Sequence, residues 1–182
     1  LSYFDQHFSH PYALLTMDAG EANKHIGTCE QLWSSMSEQG ADRNSLLINL
    51  GGGVVTDLGG FVACTYKRGI DFINIPTSLL AMVDASVGGK TGVDFHGLKN
   101  QIGIIREPAF VVIDDSFLTT LPNNEFRSGY AEMLKHGLIA DADYFSNLST
   151  EKLNEKSTIS NHIRHSLEIK HKVVSEDPYE KG

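Results

Sequence analysis

The fold is decided by the stretch Ser45-Leu46-Leu47-Ile48-Asn49-Leu50-Gly51-Gly52-Gly53 and by the run of small and apolar residues that follows it from Val54 to Thr65. The apolar residues before the glycines predict a buried strand, and the three glycines predict a tight turn at its end. The run after the turn predicts a buried helix, because small and apolar residues would occupy all faces of that helix. A strand and a helix joined in this way are typical of a parallel α/β sheet.

The segments on both sides of this unit continue the alternation of helix and strand. Upstream, apolar residues recur at spacings of three and four over Cys29–Met36, which predicts a helix that Gly40 ends, and Tyr12–Met17 predicts a short strand. Downstream, Ile70–Ile75 and Ala109–Ile113 predict two more strands. We therefore expect an α/β nucleotide-binding domain with a Rossmann-like parallel sheet.

Beyond Pro122 the sequence shows no strand pattern and becomes helical. Phe117–Leu121 has a helix-like pattern that leads into this region, and further helices are predicted over Asn123–Ile139, Glu151–Lys156 and Ile159–Val174. Asp177-Pro178 is expected to end the last of them. We therefore expect the α/β domain over residues 1–118, a boundary near Asp115–Asn123, and the beginning of an all-α domain over residues 119–182.

Composition and charge narrow the class of protein. The chain has 182 residues, of which 41% are hydrophobic and 21% charged, a balance typical of a globular α/β enzyme. Its 15 basic and 23 acidic side chains give a net charge of -8, which argues against a nucleic-acid partner. Cys29 and Cys64 lack a C-x-x-C spacing, and the sequence contains no signal-peptide pattern and no long apolar span. We expect a reduced cytoplasmic protein with no membrane partner.

The glycine turn is a candidate phosphate site. Backbone N–H groups at the start of a helix carry a partial positive charge, and glycines let a ligand approach them closely. The stretch Gly51-Gly52-Gly53-Val54-Val55-Thr56-Asp57 has this form, but Thr56 stands at the position of the third glycine of the dinucleotide fingerprint. From these residues alone, a tight turn without a ligand is an equal alternative.

A second group of candidates lies between the hydroxyl pair Thr77-Ser78 and Asn100. It contains Asp84, a second glycine turn that ends at Lys90, and Lys99 beside the amide of Asn100. Glycines next to a lysine suit an oxyanion, and cations are otherwise scarce in this acidic chain. The alternative for any single lysine is a solvated surface charge, which is the usual case.

A third group shares one face of the helix predicted after Asn123. Glu132, Lys135 and His136 are spaced three and four residues apart, which places them within one turn of each other. A carboxylate and an imidazole in this arrangement can bind a metal, and the lysine can neutralise an anion. From these residues alone we favour the alternative of an exposed ion-pair patch.

Taken together, the motifs resemble those of the 3-dehydroquinate synthase family in order and spacing. The resemblance extends from about Gly20 to the last residue, and it is far more specific than any single motif. It is carried by Gly51–Ala63, Thr65–Gly69, Ile75–Asp84, Ser86–Lys90, Lys99–Gly103 and Ala131–Lys135. It favours functional roles for these residues over the structural alternatives given above.

The resemblance implies an NAD- and metal-dependent lyase of the shikimate pathway, which leads to the aromatic amino acids. Family members convert 3-deoxy-D-arabino-heptulosonate 7-phosphate into 3-dehydroquinate and phosphate, and they regenerate NAD in each cycle. A transient carbonyl acidifies the neighbouring C–H, while Zn2+ (or Co2+) stabilises the charge that develops on oxygen. The implied partners are a phosphorylated sugar acid and a second copy of the chain in a homodimer.

The resemblance also implies roles for individual residues. Those expected at NAD are Ala19, Gly20, Glu21, Ala22, Asn23, Lys24, Gly53, Val54, Val55, Thr56, Asp57, Thr77, Ser78, Lys90, Lys99, Phe117, Leu118, Thr119 and Thr120. Those expected in catalysis are Asp84, Lys90, Lys99, Asn100, Lys135, Lys170 and Arg68, the last reaching the phosphate bound by the neighbouring subunit. Glu132 is the expected metal ligand, whereas His136 matches no family ligand and is given no metal role.

Two features of the family pattern fall outside the 182 residues. The opening strand of the nucleotide domain has no counterpart before Leu1, and the two histidines that complete the family's metal site would follow Gly182. We therefore expect a truncated or incompletely recorded chain, which by itself binds zinc weakly and is inactive.

Three alternatives stay open at this point. A sugar-phosphate cyclase of secondary metabolism keeps much of this residue set and would release phosphate from a different sugar phosphate. A metal-dependent polyol dehydrogenase would accumulate NADH, whereas the cyclases return the hydride to their substrate. An inactive binding or structural fragment would do neither, so phosphate release and net NADH formation separate the three.

Overall fold

The computed structural model describes residue 6, residues 9–150 and residues 159–177. Its helices and strands are α1 (Ile26–Glu38), β1 (Leu46–Gly51), α2 (Gly53–Thr65), β2 (Asp71–Pro76), β3 (Lys90–Phe95), β4 (Leu98–Ile105), β5 (Phe110–Val111), α3 (Asn123–Ala140), α4 (Ala142–Thr150) and α5 (Ile159–Glu176). Short helical turns cover Glu21–Asn23, Tyr66–Arg68 and Asp115–Thr119, and a π-helical turn covers Ala81–Ala85.

Strands β1, β2 and β5 form the parallel sheet that the sequence predicts, with β2 in the centre. Leu46 pairs with Asp71 and Gly51 with Pro76, so β1 and β2 end at the same edge. The backbone N–H of Thr77 donates to the carbonyl of Gly51 over 2.9 Å. The carboxyl edge of the sheet therefore places the glycine turn beside the predicted hydroxyl pair.

Helix α2 lies against both the parallel sheet and the antiparallel hairpin β3–β4, and most of its residues are buried. A Cβ on Gly59 would lie 2.0 Å from Oδ1 of Asn49 in β1, and a Cβ on Gly60 would lie 2.5 Å from Cγ2 of Thr91 in β3. The prediction of a buried helix after the glycine turn is thus confirmed. The first core cluster lies around this helix and includes Cys29, Leu58, Val62, Phe72 and Val93.

Two strand predictions need correction. The predicted strand over Tyr12–Met17 is wrong, because this segment has no strand pairing in the described chain. Its residues Leu15 and Met17 pack on the first core cluster, so the apolar side chains are buried without a strand ladder. The strand predicted over Ala109–Ile113 is shorter than expected, since only Phe110–Val111 is strand.

The hairpin β3–β4 and helix α4 are not predicted by the sequence patterns. Most side chains of β4 are exposed, and Gly92 pairs with Gly103 across the hairpin, so no alternation of apolar residues marks it. The signal for α4 is Asp141, whose carboxylate accepts a hydrogen bond from the N–H of Tyr144 over 2.9 Å. Tyr144 and Leu148, one turn apart, are then buried.

The region after Pro122 is helical in the described residues, as predicted, and α3 packs on both α4 and α5 around a second core cluster. The helix predicted over Glu151–Lys156 and the predicted stop at Pro178 lie outside the described residues. The second core cluster includes Leu79, Met82, Val83, Leu118, Met133, Leu148 and Ile163. Because it takes residues from both sides of the predicted boundary, the division into residues 1–118 and 119–182 stays a prediction.

None of the described helices is both long enough and apolar enough to cross a lipid bilayer. The two longest, α3 and α5, each carry several charged side chains, such as Glu132 and Lys170.

The start of α4 gives a prediction about pH. Two hydrogen bonds hold the pKa of Asp141 below its ordinary value. The larger effect comes from the backbone N–H of Tyr144, and the smaller from the side chain of His165, whose Nε2 lies 2.9 Å from Oδ2 of Asp141. Because the folded-state pKa is lowered, the ionised carboxylate stabilises the fold above the pKa of the unfolded chain. This contribution is lost as the pH falls through the folded-state value.

We therefore expect the free energy of unfolding of the wild type to exceed that of Asp141→Asn at pH 7, and this difference to shrink as the pH falls through the lowered pKa of Asp141. Asparagine keeps an acceptor at the start of the helix but does not ionise. Urea unfolding at a series of pH values measures this difference. If the two proteins differ in free energy of unfolding by the same amount at the lowest and the highest pH, the ionised Asp141 does not stabilise the fold as expected.

Candidate active site

The glycine turn opens a site at the carboxyl edge of the sheet. Helix α2 begins at Gly53, and its N-cap residue Gly52 offers no side-chain hydrogen bond to the first turn. A Cβ on Gly53 would lie 3.3 Å from Cβ of Ala85, so the turn packs closely on the segment that carries Asp84. The backbone of this turn is thus open to an anionic ligand.

A buried lysine joins three parts of the chain beside this turn. Lys24 is 3% exposed, and its ammonium donates to Oδ2 of Asp57 over 2.5 Å and to Oδ1 of Asn100 over 2.6 Å. Burial raises the pKa of Asp57, and the neighbouring Lys24 ammonium opposes that rise. Asn100 itself has a left-handed backbone, with φ of 52°, and its N–H donates to Oδ1 of Asp94. Lys24 therefore fixes α2 to the loop before α1 and to the hairpin.

A second charged cluster forms where the π-helical turn meets α3 and α5. Oδ1 of Asp84 accepts a hydrogen bond from Nζ of Lys170 over 2.6 Å. On α3, the carboxylate of Glu132 accepts one from Lys135. Nε2 of His136 lies 3.4 Å from Oε1 of Glu132. Two carboxylates, two ammonium groups and an imidazole thus share one corner of the molecule.

His136 is the residue of this cluster that matches no ligand of the family and was expected to have no metal role. It is 2% exposed, and its Nδ1 lies 2.6 Å from Oγ of Ser166, which is completely buried. Burial lowers the pKa of His136, and the Glu132 carboxylate opposes this shift, so we treat the ring as neutral at pH 7. The alternative of an exposed ion-pair patch is wrong for this histidine, and Glu132 is only partly exposed.

Three side chains of this cluster could together hold a divalent metal ion. Ligand atoms of Asp84, Glu132 and His136 all lie within 4.8 Å of one another. Carboxylate oxygens and imidazole nitrogens are ligands that Zn2+ and Co2+ accept, so the donor set fits such an ion. Only Glu132 was predicted as a ligand. His136 has helical spacing to it, whereas Asp84 comes from a distant element that no sequence spacing reveals.

The other predicted cofactor residues lie in three segments with different surroundings. Thr77 and Ser78 follow β2 directly and border the glycine turn. The loop Ala19–Lys24 is attached to the hairpin, because the N–H of Asp94 donates to the carbonyl of Lys24 over 2.8 Å. In the segment 117–120, the side chain of Leu118 is buried in the second core cluster and is 1% exposed, so only its backbone is open to a ligand.

The remaining predicted cations lie on the surface. Lys90 begins β3 and is exposed, and Nζ of Lys99 forms an exposed ion pair with Glu21 at 3.0 Å. Arg68 is exposed next to Lys67, and both residues have left-handed backbones, with φ of 73° and 49°. Arg68 takes no part in the hydrogen bonds and ion pairs described above for the two charged clusters.

Comparison with known proteins places these features in a family. The sequence model of the family '3-dehydroquinate synthase N-terminal' matches residues 14–128 of this chain. The model of the family '3-dehydroquinate synthase C-terminal' matches residues 129–182. The chain belongs to the 3-dehydroquinate synthase family. The resemblance inferred from the sequence motifs is therefore confirmed.

Similar proteins support the same family. The 3-dehydroquinate synthase of Parabacteroides distasonis is 47% identical over 171 residues, which cover 93% of this chain and 48% of the relative. The chain thus spans about half the length of the curated relatives it matches. These names favour neither a sugar-phosphate cyclase of secondary metabolism nor a polyol dehydrogenase.

Solved structures resemble the fold closely. The 2-epi-5-epi-valiolone synthase from Streptomyces hygroscopicus subsp. jinggangensis 5008, with NAD+ and Zn2+ bound, superimposes with a TM-score of 0.87 at 29% identity and covers 99% of this chain and 52% of that one. A 2-deoxy-scyllo-inosose synthase complexed with carbaglucose-6-phosphate, NAD+ and Co2+ gives a TM-score of 0.84 at 27% identity, over 99% and 50% of the two chains. The predicted α/β fold with a Rossmann-like sheet is confirmed.

The buried lysine gives a prediction about stability. Lys24→Met leaves the half-buried carboxylate of Asp57 without its cation, and we expect it to lower the free energy of unfolding by about 2 kcal/mol or more. Lys99→Met is the matched control, because it removes an exposed ion pair and should change stability little. Adding Asp57→Asn to Lys24→Met should restore part of the loss. Chemical unfolding measures all three, and equal effects of the two lysine variants would contradict this role for Lys24.

Proposed function

We propose that this chain provides the nucleotide-binding part and the beginning of the helical part of a 3-dehydroquinate synthase. Its reaction is the conversion of 3-deoxy-D-arabino-heptulosonate 7-phosphate into 3-dehydroquinate and phosphate, a step of the shikimate pathway and of aromatic amino acid biosynthesis. The observation that carries the proposal is the family match over both regions of the chain. The meeting of the glycine turn with the Asp84 segment at one edge of the sheet supports it.

NAD is the proposed cofactor. The similar 2-epi-5-epi-valiolone synthase was solved with NAD+ and Zn2+ bound. In this chain, the first turn of α2 at Gly53 would hold the pyrophosphate, because its N–H groups lack a capping side chain. Thr77 and Ser78 border the same turn and would bind the nucleotide with their hydroxyls. When bound, NAD supplies the reversible hydride acceptor that the reaction needs.

The cluster around Asp84 is the proposed reaction centre. Glu132 would help to hold the divalent metal, which polarises a substrate oxygen when bound. Lys170 and Lys135 carry ammonium groups that can bind substrate oxygens and hold or donate a proton there. Their present bonds to Asp84 and Glu132 compensate all four charges, which lowers the cost of keeping them partly buried.

Phosphate recognition is proposed for the cations near the hairpin. Lys90, Lys99 and Asn100 lie on β3 and β4, and Asn100 is bound to the buried Lys24. Arg68 lies on a strained turn, which supports a functional role, since strained backbone is concentrated at functional sites. We propose that it reaches the substrate phosphate of a neighbouring subunit in a homodimer.

A homodimer is supported by the surface of the hairpin. Large apolar side chains are exposed there, with Leu98 at 59% and its cross-strand partner Phe95 at 44% of their full accessibility. Contiguous exposed apolar side chains are common at protein interfaces. They lie on the same hairpin as Lys90 and Lys99, so a partner seated on it would border the proposed phosphate site.

The proposed compartment is the cytoplasm. Cys29 and Cys64 are both free and buried. Burial raises the pKa of Cys29 to about 11, so its thiol is protonated at neutral pH. Free, unreactive thiols suit a reducing compartment.

The test of the proposed nucleotide site is the substitution Gly53→Val. The added side chain would press on Ala85 and cover the first N–H groups of α2, so we expect NAD+ affinity to fall roughly tenfold or more. Calorimetric titration of the purified protein with NAD+ measures the change. Ala140→Val is the control, because it adds the same side chain at an exposed helix end and should leave NAD+ affinity unchanged.

Equal NAD+ affinity in the wild type and Gly53→Val would contradict the nucleotide assignment. The rival activities are separated by what the protein produces. The proposed reaction releases phosphate without net NADH, whereas accumulation of NADH would point to a polyol dehydrogenase.

A further inference from the structure

The proposed reaction gives no role to the hydrogen bond between His136 and Ser166. It joins α3 to α5, its two side chains are 2% and 0% exposed, and the atoms Nδ1 and Oγ are 2.6 Å apart. A pair of apolar residues could fill the same space without the cost of burying polar groups. A polar pair at this depth therefore points to a geometric requirement between the two helices.

The position of this bond relates it to the charged cluster. Glu132 is one turn before His136 on α3, and Lys170 is one turn after Ser166 on α5. Residues four apart lie on the same face of a helix. The bond thus lies one turn away, on each helix, from the residues that meet Asp84 at the corner of the site.

Apolar contacts between helices tolerate small slides, whereas a hydrogen bond works only over a narrow range of distance and angle. A slide of α5 along α3 would carry the ammonium of Lys170 away from Asp84, since the two are joined over 2.6 Å. It would also change the distance between this pair and Glu132. One buried hydrogen bond can therefore set the spacing of the whole cluster.

We propose that His136 and Ser166 are positioning residues, whose hydrogen bond fixes α3 against α5 and thereby holds Glu132 beside the Asp84–Lys170 pair. The meaning of this arrangement for catalysis rests on the proposed function. The geometric claim concerns this chain alone. His136 faces Glu132, Asp84, Lys135 and Lys170, and its own Nδ1 contact is made to the uncharged Ser166.

The test is a double-mutant cycle on Asp84 and Lys170, the ion pair whose position the hydrogen bond is proposed to fix. Asp84→Asn, Lys170→Met and the double variant give the coupling between these residues, read from equilibrium constants of unfolding. We expect a coupling of roughly threefold to tenfold in the wild-type background, and about onefold when the cycle is repeated with Ser166→Ala. A coupling that persists with Ser166→Ala would overturn the proposal.

The control is Tyr130→Phe, which removes another buried hydrogen bond of α3. The hydroxyl of Tyr130 donates to the carbonyl of Leu148 over 2.8 Å, and this bond leads to α4 rather than α5. The variant should lower overall stability but leave the coupling between Asp84 and Lys170 unchanged. If it abolishes the coupling as well, the effect is general loosening and the proposal is wrong.

Two substitutions of His136 keep the test decisive if Ser166→Ala does not fold. In His136→Asn a side-chain polar atom can stand near the place of Nδ1, whereas in His136→Gln it reaches toward the place of Nε2. We expect the Asn variant to keep more of the coupling than the Gln variant, because the bond to Ser166 uses Nδ1. If the Gln variant keeps more of the coupling than the Asn variant, the ring nitrogen Nε2, which faces Glu132, is the one that maintains the coupling, and the proposal is wrong.

These measurements need no ligand. Their outcome is therefore independent of the NAD+ titration, and a failure of the proposed function leaves the geometric claim to be judged on its own.

Discussion

The close approach of helix α2 to two different sheets is the constraint on which the rest of the structure depends. Gly59 lies against Asn49 of the parallel sheet and Gly60 against Thr91 of the hairpin, and neither position has room for a Cβ. A helix held this tightly cannot slide along its axis. Its first turn therefore stays at the end of β1, where the glycine turn presents backbone N–H groups beside the segment that carries Asp84 and Ala85.

Ion pairs stabilise the same region of the structure. The chain is acidic overall, with a net charge of -8, yet the ammonium groups of Lys24, Lys135 and Lys170 are each bonded to a carboxylate near the site. Partly buried carboxylates are tolerated because these cations compensate them. Each of these carboxylates would be left partly buried without a counter-charge if its lysine were removed.

Local patterns made the central part of the fold predictable. The strand, glycine turn and buried helix from Ser45 to Thr65 follow from short-range composition, as do α1 and α3. The strand predicted over Tyr12–Met17 failed because alternating apolar residues can be buried against a core as well as on a sheet. The hairpin β3–β4 was missed for the opposite reason: its strands are held by cross-strand pairing and carry few buried apolar side chains.

The site shows the same division between local and long-range information. Glu132 and His136 are one turn apart, so their proximity follows from helical spacing alone. The contacts of Lys24 with Asn100 and of Asp84 with Lys170 join residues 76 and 86 positions apart, and only the tertiary fold brings them together. The burial of His136 against Ser166 was equally invisible, because a histidine beside charged residues is typical of a surface. Family resemblance supplied roles for these residues, and the fold supplied their contacts.

The central claim is that the glycine turn and the Glu132 cluster face a single site. A crystal structure of the protein grown with NAD+ and Co2+ tests it most directly, because anomalous scattering locates the cobalt independently of any model. The account predicts the pyrophosphate at the first turn of α2 and a cobalt peak in bonding contact with Glu132, close to the nicotinamide. A nucleotide bound away from Gly53, or a cobalt site without Glu132, would contradict it.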